Sequence, residues 1–137
     1  RKRMKQAKLP PMRFESTDGY PIYVGRNNRQ NDELTFRLAR KDDIWCHASK
    51  VHGSHVIISC GGTTPPDDTV TQAAQLAAYY AETGGGQNIP VDVTAVKQVK
   101  KIPNGKPGMV IYHTYRPVIA NPYPDIVVDA LNAETKE

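Results

Sequence analysis

Two arginines and three asparagines occur within residues 25–32, and these side chains can bind an anionic ligand that also forms hydrogen bonds. Asparagine amides both donate and accept hydrogen bonds, and arginine offers a planar fork of donors. Together they suit phosphate oxygens, sugar hydroxyls and base edges, which favours RNA. The alternative is a loop whose asparagines satisfy its own backbone turns. The candidate binding residues here are Arg26, Asn27, Asn28, Arg29 and Asn31.

A tryptophan and a histidine lie in the next polar motif, residues 43–47. Trp45 and His47 are two residues apart on a predicted strand, so both side chains leave one face, while Cys46 leaves the other. An indole beside an imidazole forms a platform on which bases stack. The alternative is a core tryptophan, with His47 hydrogen-bonded to that core. Asp43, which opens the motif, is also a candidate.

A Gly-Ser-His sequence at residues 53–55 predicts a tight turn that leads into another strand. The free amides and the hydroxyl of such a turn can hold a phosphate, and ordinary turn chemistry is the alternative. Gly53, Ser54 and His55 are therefore candidate RNA-binding residues, together with the nearby cation Lys50.

Lysines surround a loop rich in proline and glycine at residues 103–108, which we call the lysine loop. Mobile ammonium groups act as point charges and suit backbone phosphates. The alternative is a solvated edge strand, on which lysines discourage aggregation. The candidate phosphate contacts are Lys97, Lys100, Lys101 and Lys106.

Cysteine and histidine side chains raise the alternatives of a metal site and of a hydrolase. The five residues concerned are Cys46, His47, His52, His55 and Cys60. They include no Cys-x-x-Cys spacing, which argues against zinc. Cys46 and His47 point to opposite strand faces, and a buried thiol is usually inert. We expect no cofactor, no metal and no catalytic side chain, and these two alternatives are the weaker ones.

Short strands and two helices must position these motifs. Asn31 can cap a short helix at about residues 32–39. The main helix, at about residues 69–82, follows two aspartates and ends before a glycine run. The predicted strands are residues 12–15 and 20–24, paired as a hairpin around Asp18-Gly19, then 44–48, 55–59, 91–99, 109–112 and 117–120. We expect an α+β fold, with strands 44–48 and 55–59 at the centre of a mixed or mainly antiparallel sheet.

Size and composition favour a single compact domain. The chain has 137 residues, of which 39% are hydrophobic, enough to bury a core. Its net charge of +4, concentrated in residues 1–60, suits a nucleic-acid partner. Two cysteines form no disulfide framework, which favours a reducing cytoplasm, and no apolar run is long enough to span a membrane. We expect a basic linker or the end of an upstream helix at residues 1–11, the domain at 12–122 and a tail at 123–137.

Five ordered motifs closely resemble those of the NFACT-R domain. They lie at residues 23–32, 43–47, 53–58, 72–80 and 99–110. That domain occurs in ribosome-associated quality-control factors of the RqcH and NEMF type, some of which are also named fibronectin-binding proteins. The resemblance extends over about residues 12–122.

The resemblance implies that the full-length factor binds tRNA, expected to be alanyl-tRNA, and large ribosomal subunits with an unreleased peptidyl-tRNA. The stalled chain would gain a C-terminal alanine tail at the ribosome's own peptidyl-transferase centre, so this domain would bind RNA and would not be an enzyme. Neither DNA nor a membrane is expected as a partner. The alternative function is a surface adhesin that binds fibronectin.

Overall fold

A six-stranded antiparallel sheet forms the centre of the protein, as seen in a computed structural model that describes residues 9–122. The expected tail and most of the expected basic linker lie outside these residues. The spatial order of the strands is β1-β2-β4-β3-β5-β8. Their bounds are β1 Met12–Glu15, β2 Pro21–Val24, β3 Ile44–Ala48, β4 Val56–Ile58, β5 Ile89–Ala95 and β8 Arg116–Ala120. A separate two-stranded ribbon pairs β6 Lys100–Lys101 with β7 Val110–Ile111.

The first hairpin forms where the Asp-Gly signal predicts it. β1 pairs with β2, with Met12 opposite Val24. Gly19 adopts φ +86° in the turn, a conformation that glycine adopts without steric cost. The hydroxyl of Ser16 accepts a hydrogen bond from the amide of Tyr20 at 3.1 Å, which closes the turn. The predicted central position of β3 and β4 is likewise confirmed, and all three residues of β4 are buried.

The main helix, α2 Asp67–Tyr79, covers one face of the sheet. Its buried alanines allow a close approach to the strands, and they include Ala73, Ala74, Ala77 and Ala78. The helix begins two residues before the predicted start and ends three residues before the predicted end. It ends early because Ala81 leaves the helix to form a bridge with Gly53, and the amide of Glu82 donates to the carbonyl of His52 at 2.9 Å.

The opposite face of the sheet carries a second, smaller core. Trp45 and Ile57 from the sheet pack there against Leu34, Val96 and Val99. These last three residues belong to segments that flank the sheet on this side: a π-helical turn Leu34–Leu38, which continues α1 Asn28–Glu33, and the 3-10 turn Val96–Gln98 with the chain that follows it.

The short helix starts earlier than predicted, because Asn27 and not Asn31 is its N-cap. The side chain of Asn27 accepts a hydrogen bond from the amide of Gln30 at 2.9 Å. Asn31 is drawn inward by tertiary contacts and cannot serve as the cap. The predicted strand 91–99 is also interrupted, since the 3-10 turn separates β5 from β6. The α+β architecture with a single domain is confirmed.

Candidate nucleic-acid interface

Two of the predicted motifs lie side by side in the structure. The first is the arginine loop, residues 25–29, and the second is the turn at residues 53–55. The amide of Gly25 donates to the carbonyl of His55 at 3.1 Å, and the hydroxyl of Ser54 donates to the carbonyl of Gly25 at 2.8 Å. Residues 25–28 and 52–54 line an open pocket of about 580 Å³, together with Met12, Tyr80 and Glu82. Residues distant in sequence thus form one surface.

Asn31 holds this frame together from inside. Its side-chain oxygen accepts a hydrogen bond from the amide of His55 at 3.0 Å, and its amide nitrogen donates to the carbonyl of Gly53 at 3.4 Å. Only 3% of the residue is exposed. A Cβ on Gly25 would lie 2.0 Å from the Asn31 side-chain oxygen, so only glycine fits there. The expectation that Asn31 contacts a ligand is therefore wrong, because its hydrogen bonds are used within the fold.

Arg26 and Asn27 are exposed, but both also make structural contacts. Asn27 caps α1, as described above. The amide of Arg26 donates to the side chain of Gln30 at 2.8 Å, and Nε of Arg26 donates to the carbonyl of Pro10 at 2.7 Å. The Nε atom of Arg26 is therefore engaged with the segment that precedes β1. The structural alternative applies to Asn27, whose side-chain oxygen satisfies a backbone amide.

Arg29 and Asn28 are the exposed members of this motif that keep their side chains available. Within residues 9–122, neither side chain has a hydrogen bond or an ion pair. Arg29 belongs to α1, whose next turn is anchored in the core through Leu34. Its guanidinium is therefore a cation without a partner among residues 9–122, carried on a fixed backbone.

His55 is a buried junction between four segments. Its Nδ1 accepts a hydrogen bond from the indole of Trp45 at 3.2 Å and lies 2.7 Å from the hydroxyl of Thr35. Its Nε2 donates to the carbonyl of Gly108 at 3.1 Å, which assigns the proton to that nitrogen. Burial lowers the pKa of His55 to about 3, so the ring is neutral at pH 7. With 1% of its surface exposed, His55 cannot be the ligand contact that the turn motif suggested.

Trp45 does not offer a platform to solvent. It is 0% exposed, because the second core and the segments beyond it cover the indole. His47 stacks on it inside the protein, with ring centroids 5.6 Å apart and planes at 7°. The half-buried His47 donates from Nδ1 to the carbonyl of Ala48 at 2.7 Å, and burial lowers its pKa. The alternative of a core tryptophan therefore applies to Trp45, whose ring is not exposed to stack on a base.

The aromatic contacts of Trp45 continue to the surface at a residue that the sequence reading missed. Tyr112 lies 4.8 Å from Trp45 between ring centroids, and its hydroxyl donates to Asp92 at 2.5 Å. Tyr115 in turn contacts Tyr112 at 5.3 Å and is 49% exposed. No local signal in the sequence distinguishes Tyr115, because its contact with Tyr112 forms only in the folded structure.

Asp43 is a structural residue. It is 2% exposed, and its carboxylate accepts three backbone amides, from Cys60 at 3.0 Å, Gly61 at 2.9 Å and Arg40 at 2.8 Å. It thereby ties the start of β3 to the turn after β4. The expectation that Asp43 contacts RNA is wrong, because the fold uses both carboxylate oxygens.

The lysine loop docks onto α1 through Gly108. The amide of Gly108 donates to Asp32 at 3.3 Å, and its carbonyl accepts the hydrogen bond from His55. Gly108 adopts φ +86°, and a Cβ there would lie 3.2 Å from the carbonyl oxygen of Asn28. This close approach explains the glycine. It brings the lysine loop and the arginine loop to the same side of the sheet.

The candidate lysines divide into paired and unpaired groups. Lys97 pairs with Asp42 at 3.6 Å, and Lys101 pairs with Asp32 at 2.9 Å. The ammonium groups without an ion pair in the part of the chain that the structure describes belong to Lys50, Lys100 and Lys106. All five are exposed. The predicted lysine cluster is thus at the surface, where a phosphate can reach it.

Positive charge is distributed unevenly between the two faces of the sheet. No lysine or arginine occurs between Lys50 and Lys97, the stretch that contains β4, α2 and β5. α2 instead carries Asp67 and Asp68 in its first turn. Basic residues are frequent on α1, on the π-helical turn and in residues 97–106, which flank the opposite face, whereas Arg116 of β8 lies on the α2 face beside Val93. An anionic ligand is therefore attracted to that face.

The cysteine and histidine residues do not form a reactive pair. Cys46 lies in the main core, on the opposite face of β3 from His47, and burial raises the pKa of its thiol to about 12. Within residues 9–122 no three histidine, cysteine or acidic side chains are placed to share a metal ion. The same residues contain no helix long and apolar enough to cross a bilayer.

Residues 11–114 match the family model described as the NFACT protein RNA binding domain. The chain is 45% identical over 116 residues to the Rqc2 homolog RqcH of Bacillus subtilis (strain 168), covering 84% of this chain and 20% of that protein. It is 48% identical over 100 residues to the Rqc2 homolog RqcH of Streptococcus pneumoniae (strain D39), covering 72% of this chain and 18% of the relative. The chain thus spans about a fifth of the length of these curated relatives.

A solved structure has the same fold. It is the C-terminal part of the fibronectin/fibrinogen-binding protein from Streptococcus suis (FBPS), with a TM-score of 0.86 and 38% sequence identity. The match covers 94% of this chain and 51% of the solved chain. The family match over most of the chain, the identity to RqcH proteins and the shared fold agree with one another. This chain belongs to the NFACT RNA-binding domain family, as found in RqcH homologues.

Proposed function

We propose that this domain binds tRNA and ribosomal RNA through the face of the sheet opposite α2, within a quality-control factor that engages obstructed large ribosomal subunits. The observation that carries the proposal is the position of Arg29. Its guanidinium has no partner within residues 9–122, and it stands on a helix fixed beside the joined arginine loop and 53–55 turn. A pre-organised cation loses little entropy on binding a phosphate.

Other exposed residues have distinct roles in the proposal. Lys50 and Lys106 provide further phosphate contacts, since both ammonium groups lack ion pairs in the described chain. The free amide of Asn28 suits a ribose hydroxyl or a base edge. Tyr115 takes over the stacking role that Trp45 cannot perform, because half of its surface remains exposed.

In this proposal the domain positions RNA, and C-terminal alanine tailing of the stalled chain is completed elsewhere. The peptide bonds form at the ribosome's own peptidyl-transferase centre, on alanyl-tRNA that the factor recruits. The thiol of Cys46 is buried and protonated, and His47 and His55 form hydrogen bonds within the fold. These observations support a binding role for the domain. Such a factor works in the cytoplasm, where ribosomes are.

Competition binding tests the class of ligand. Fluorescently labelled tRNA is titrated with the chain, and the complex is challenged with unlabelled tRNA, duplex DNA of equal length or fibronectin. Displacement by tRNA but not by equal concentrations of DNA or fibronectin supports the proposal, since RNA is recognised by its shape and 2′-hydroxyls. Binding of fibronectin without binding of tRNA would contradict it and would favour the adhesin alternative.

A further inference from the structure

A second groove lies on the side of the sheet that the π-helical turn covers, and none of its lining residues belongs to the pocket of the arginine loop. It has a volume of about 340 Å³ and is bounded by the π-helical turn on one side and by the chain after β5 on the other. Its apolar lining comes from Phe36, Ala39, Val96 and Val99. Val96 and Val99 are buried members of the second core, so this floor is held in place by the fold.

The rim of the groove is formed by four lysines. They are Lys41, Lys97, Lys100 and Lys101, and no acidic residue of the described chain lines the groove with them. Lys41 was not among the residues singled out from the sequence. The backbone brings it into place, because the amide of Lys97 donates to the carbonyl of Lys41 at 3.0 Å.

The lysines of the rim are only partly neutralised. Asp42 pairs with Lys97, and Asp32 pairs with Lys101. Lys41 and Lys100 have no ion pair within the described part of the chain. Two lysines without an ion pair in the described residues therefore line the groove together with its apolar floor.

The chemistry of floor and rim points to a ligand with both a flat apolar part and negative charge. The ammonium of Lys101 lies 5.6 Å from the centroid of the half-buried Phe36 ring, so cation and ring share one wall. The groove volume falls within the range of sites that enclose a small ligand. In a duplex the base faces are stacked and unavailable, whereas an unpaired nucleotide presents them.

We infer that this groove binds one unpaired nucleotide of an RNA, with the base on the apolar floor and its phosphates between Lys41 and Lys100. The inference rests on the proposed function, because it assigns a second contact to the same RNA-binding face. It also specifies the ligand: single-stranded RNA binds the groove, and the same sequence in a duplex does not.

Amide NMR spectra of the whole chain locate the binding site. The chain is titrated with a single-stranded RNA hexamer and separately with the same hexamer annealed to its complement. We expect the amide signals of Phe36, Lys41 and Lys100 to shift with the single strand and not with the duplex, while Gln72 on the opposite face stays unchanged. Shifts confined to residues 25–29 and 53–55 would overturn the inference, and so would equal shifts with the duplex.

Lysine variants test the energetic role of the groove. Lys41→Ala and Lys100→Ala should each weaken single-strand binding about fivefold at 0.1 M salt, because a phosphate contact on a single strand releases about 0.7 counterion. Lys41→Arg should retain most of the affinity. Thr71→Glu on the exposed side of α2 is the control, since it changes the net charge equally on a helix that carries no lysine or arginine.

The two proposals fail in different ways. If Arg29→Ala weakens tRNA binding while Lys41→Ala and Lys100→Ala equal the Thr71→Glu control, the groove is wrong and the proposed function stands. If the unmodified chain binds neither tRNA nor the hexamer, the proposed function fails, and the groove inference fails with it.

Discussion

His55 donates a hydrogen bond from Nε2 to the carbonyl of Gly108, 3.1 Å away, across 53 residues of sequence. Its other ring nitrogen accepts from the indole of Trp45. One buried imidazole therefore connects the sheet to the lysine loop. Both hydrogen bonds require the neutral ring with its proton on Nε2, so protonation of Nδ1 would break the contact with Trp45.

Acid should destabilise the protein through His55. The pKa of His55 is lowered from 6.5 to about 3 in the folded state, so between these values the unfolded chain binds the proton and the folded chain does not. Stability is therefore lost as the pH falls, by about 2 kcal/mol from His55 between pH 7 and pH 5. Urea unfolding at both pH values measures the change, and His55→Asn should reduce it.

NMR observation of the His55 ring gives an independent check that does not need the variant. Its signal should not titrate between pH 7 and pH 5, because burial lowers the pKa of the ring to about 3. Titration of His55 near its ordinary pKa would contradict the buried, neutral assignment.

Asp43→Ala should destabilise the fold, while the molecules that remain folded should bind RNA with unchanged affinity. Three amides lose their acceptor, which should cost about 2–4 kcal/mol. Asp42→Ala is the control, because its exposed carboxylate makes a surface ion pair with Lys97. Such a pair contributes at most about 1 kcal/mol to the free energy of unfolding. Chemical denaturation distinguishes them. Equal stabilities of the two variants would show that Asp43 does not have the structural role assigned to it.

Gly25→Ala should separate the arginine loop from the turn at residues 53–55. The new Cβ would lie 2.0 Å from the side-chain oxygen of Asn31, which cannot move without losing its bond to His55. We expect a loss of about 2–4 kcal/mol in unfolding free energy and weaker tRNA binding. Gly86→Ala is the control, because the atom nearest to the added Cβ would lie 3.4 Å away, an ordinary van der Waals distance. This variant should leave the unfolding free energy nearly unchanged.

Fluorescence of the single tryptophan should report no direct contact with RNA. Because Trp45 is completely buried, acrylamide should quench it poorly, and saturating tRNA should leave that quenching unchanged. Strong quenching of the emission by bound RNA would indicate a base stacked on the indole.

Tyr115→Ala should weaken binding of single-stranded RNA by about 1–3 kcal/mol if a base stacks on the exposed ring. Anisotropy titration measures the change, with Tyr79→Ala as the control, since that half-exposed tyrosine lies on α2. Equal affinities of the two variants would remove Tyr115 from the interface.

Local signals in the sequence predict most of the fold. Asp18-Gly19 specifies the first hairpin through its own backbone preferences. The apolar run at β4 predicts a buried strand whatever its neighbours in the sheet are. The end of α2 was not predictable, because the bridge between Ala81 and Gly53 ends the helix before the glycine run. Local propensity does not describe contacts between segments that are distant in sequence.

The candidate site was predictable in its motifs but not in the roles of its residues. The sequence presents Asn27 and Asn31 as equivalent polar residues, yet one caps a helix at the surface and the other braces the interior. Trp45 likewise has the flat ring of a stacking residue, but the π-helical turn and the chain after β5 cover it. Lys41 is brought to the proposed groove by its backbone contact with Lys97.

The salt dependence of tRNA binding by Arg29→Ala tests the central claim most directly. Anisotropy titrations at several salt concentrations compare this variant with the unmodified chain and with Thr71→Glu. If Arg29 contacts a phosphate, Arg29→Ala should weaken binding severalfold and reduce the slope of log K against log salt by about 1, while Thr71→Glu leaves the slope unchanged. An unchanged slope and affinity in Arg29→Ala would contradict RNA binding through this face.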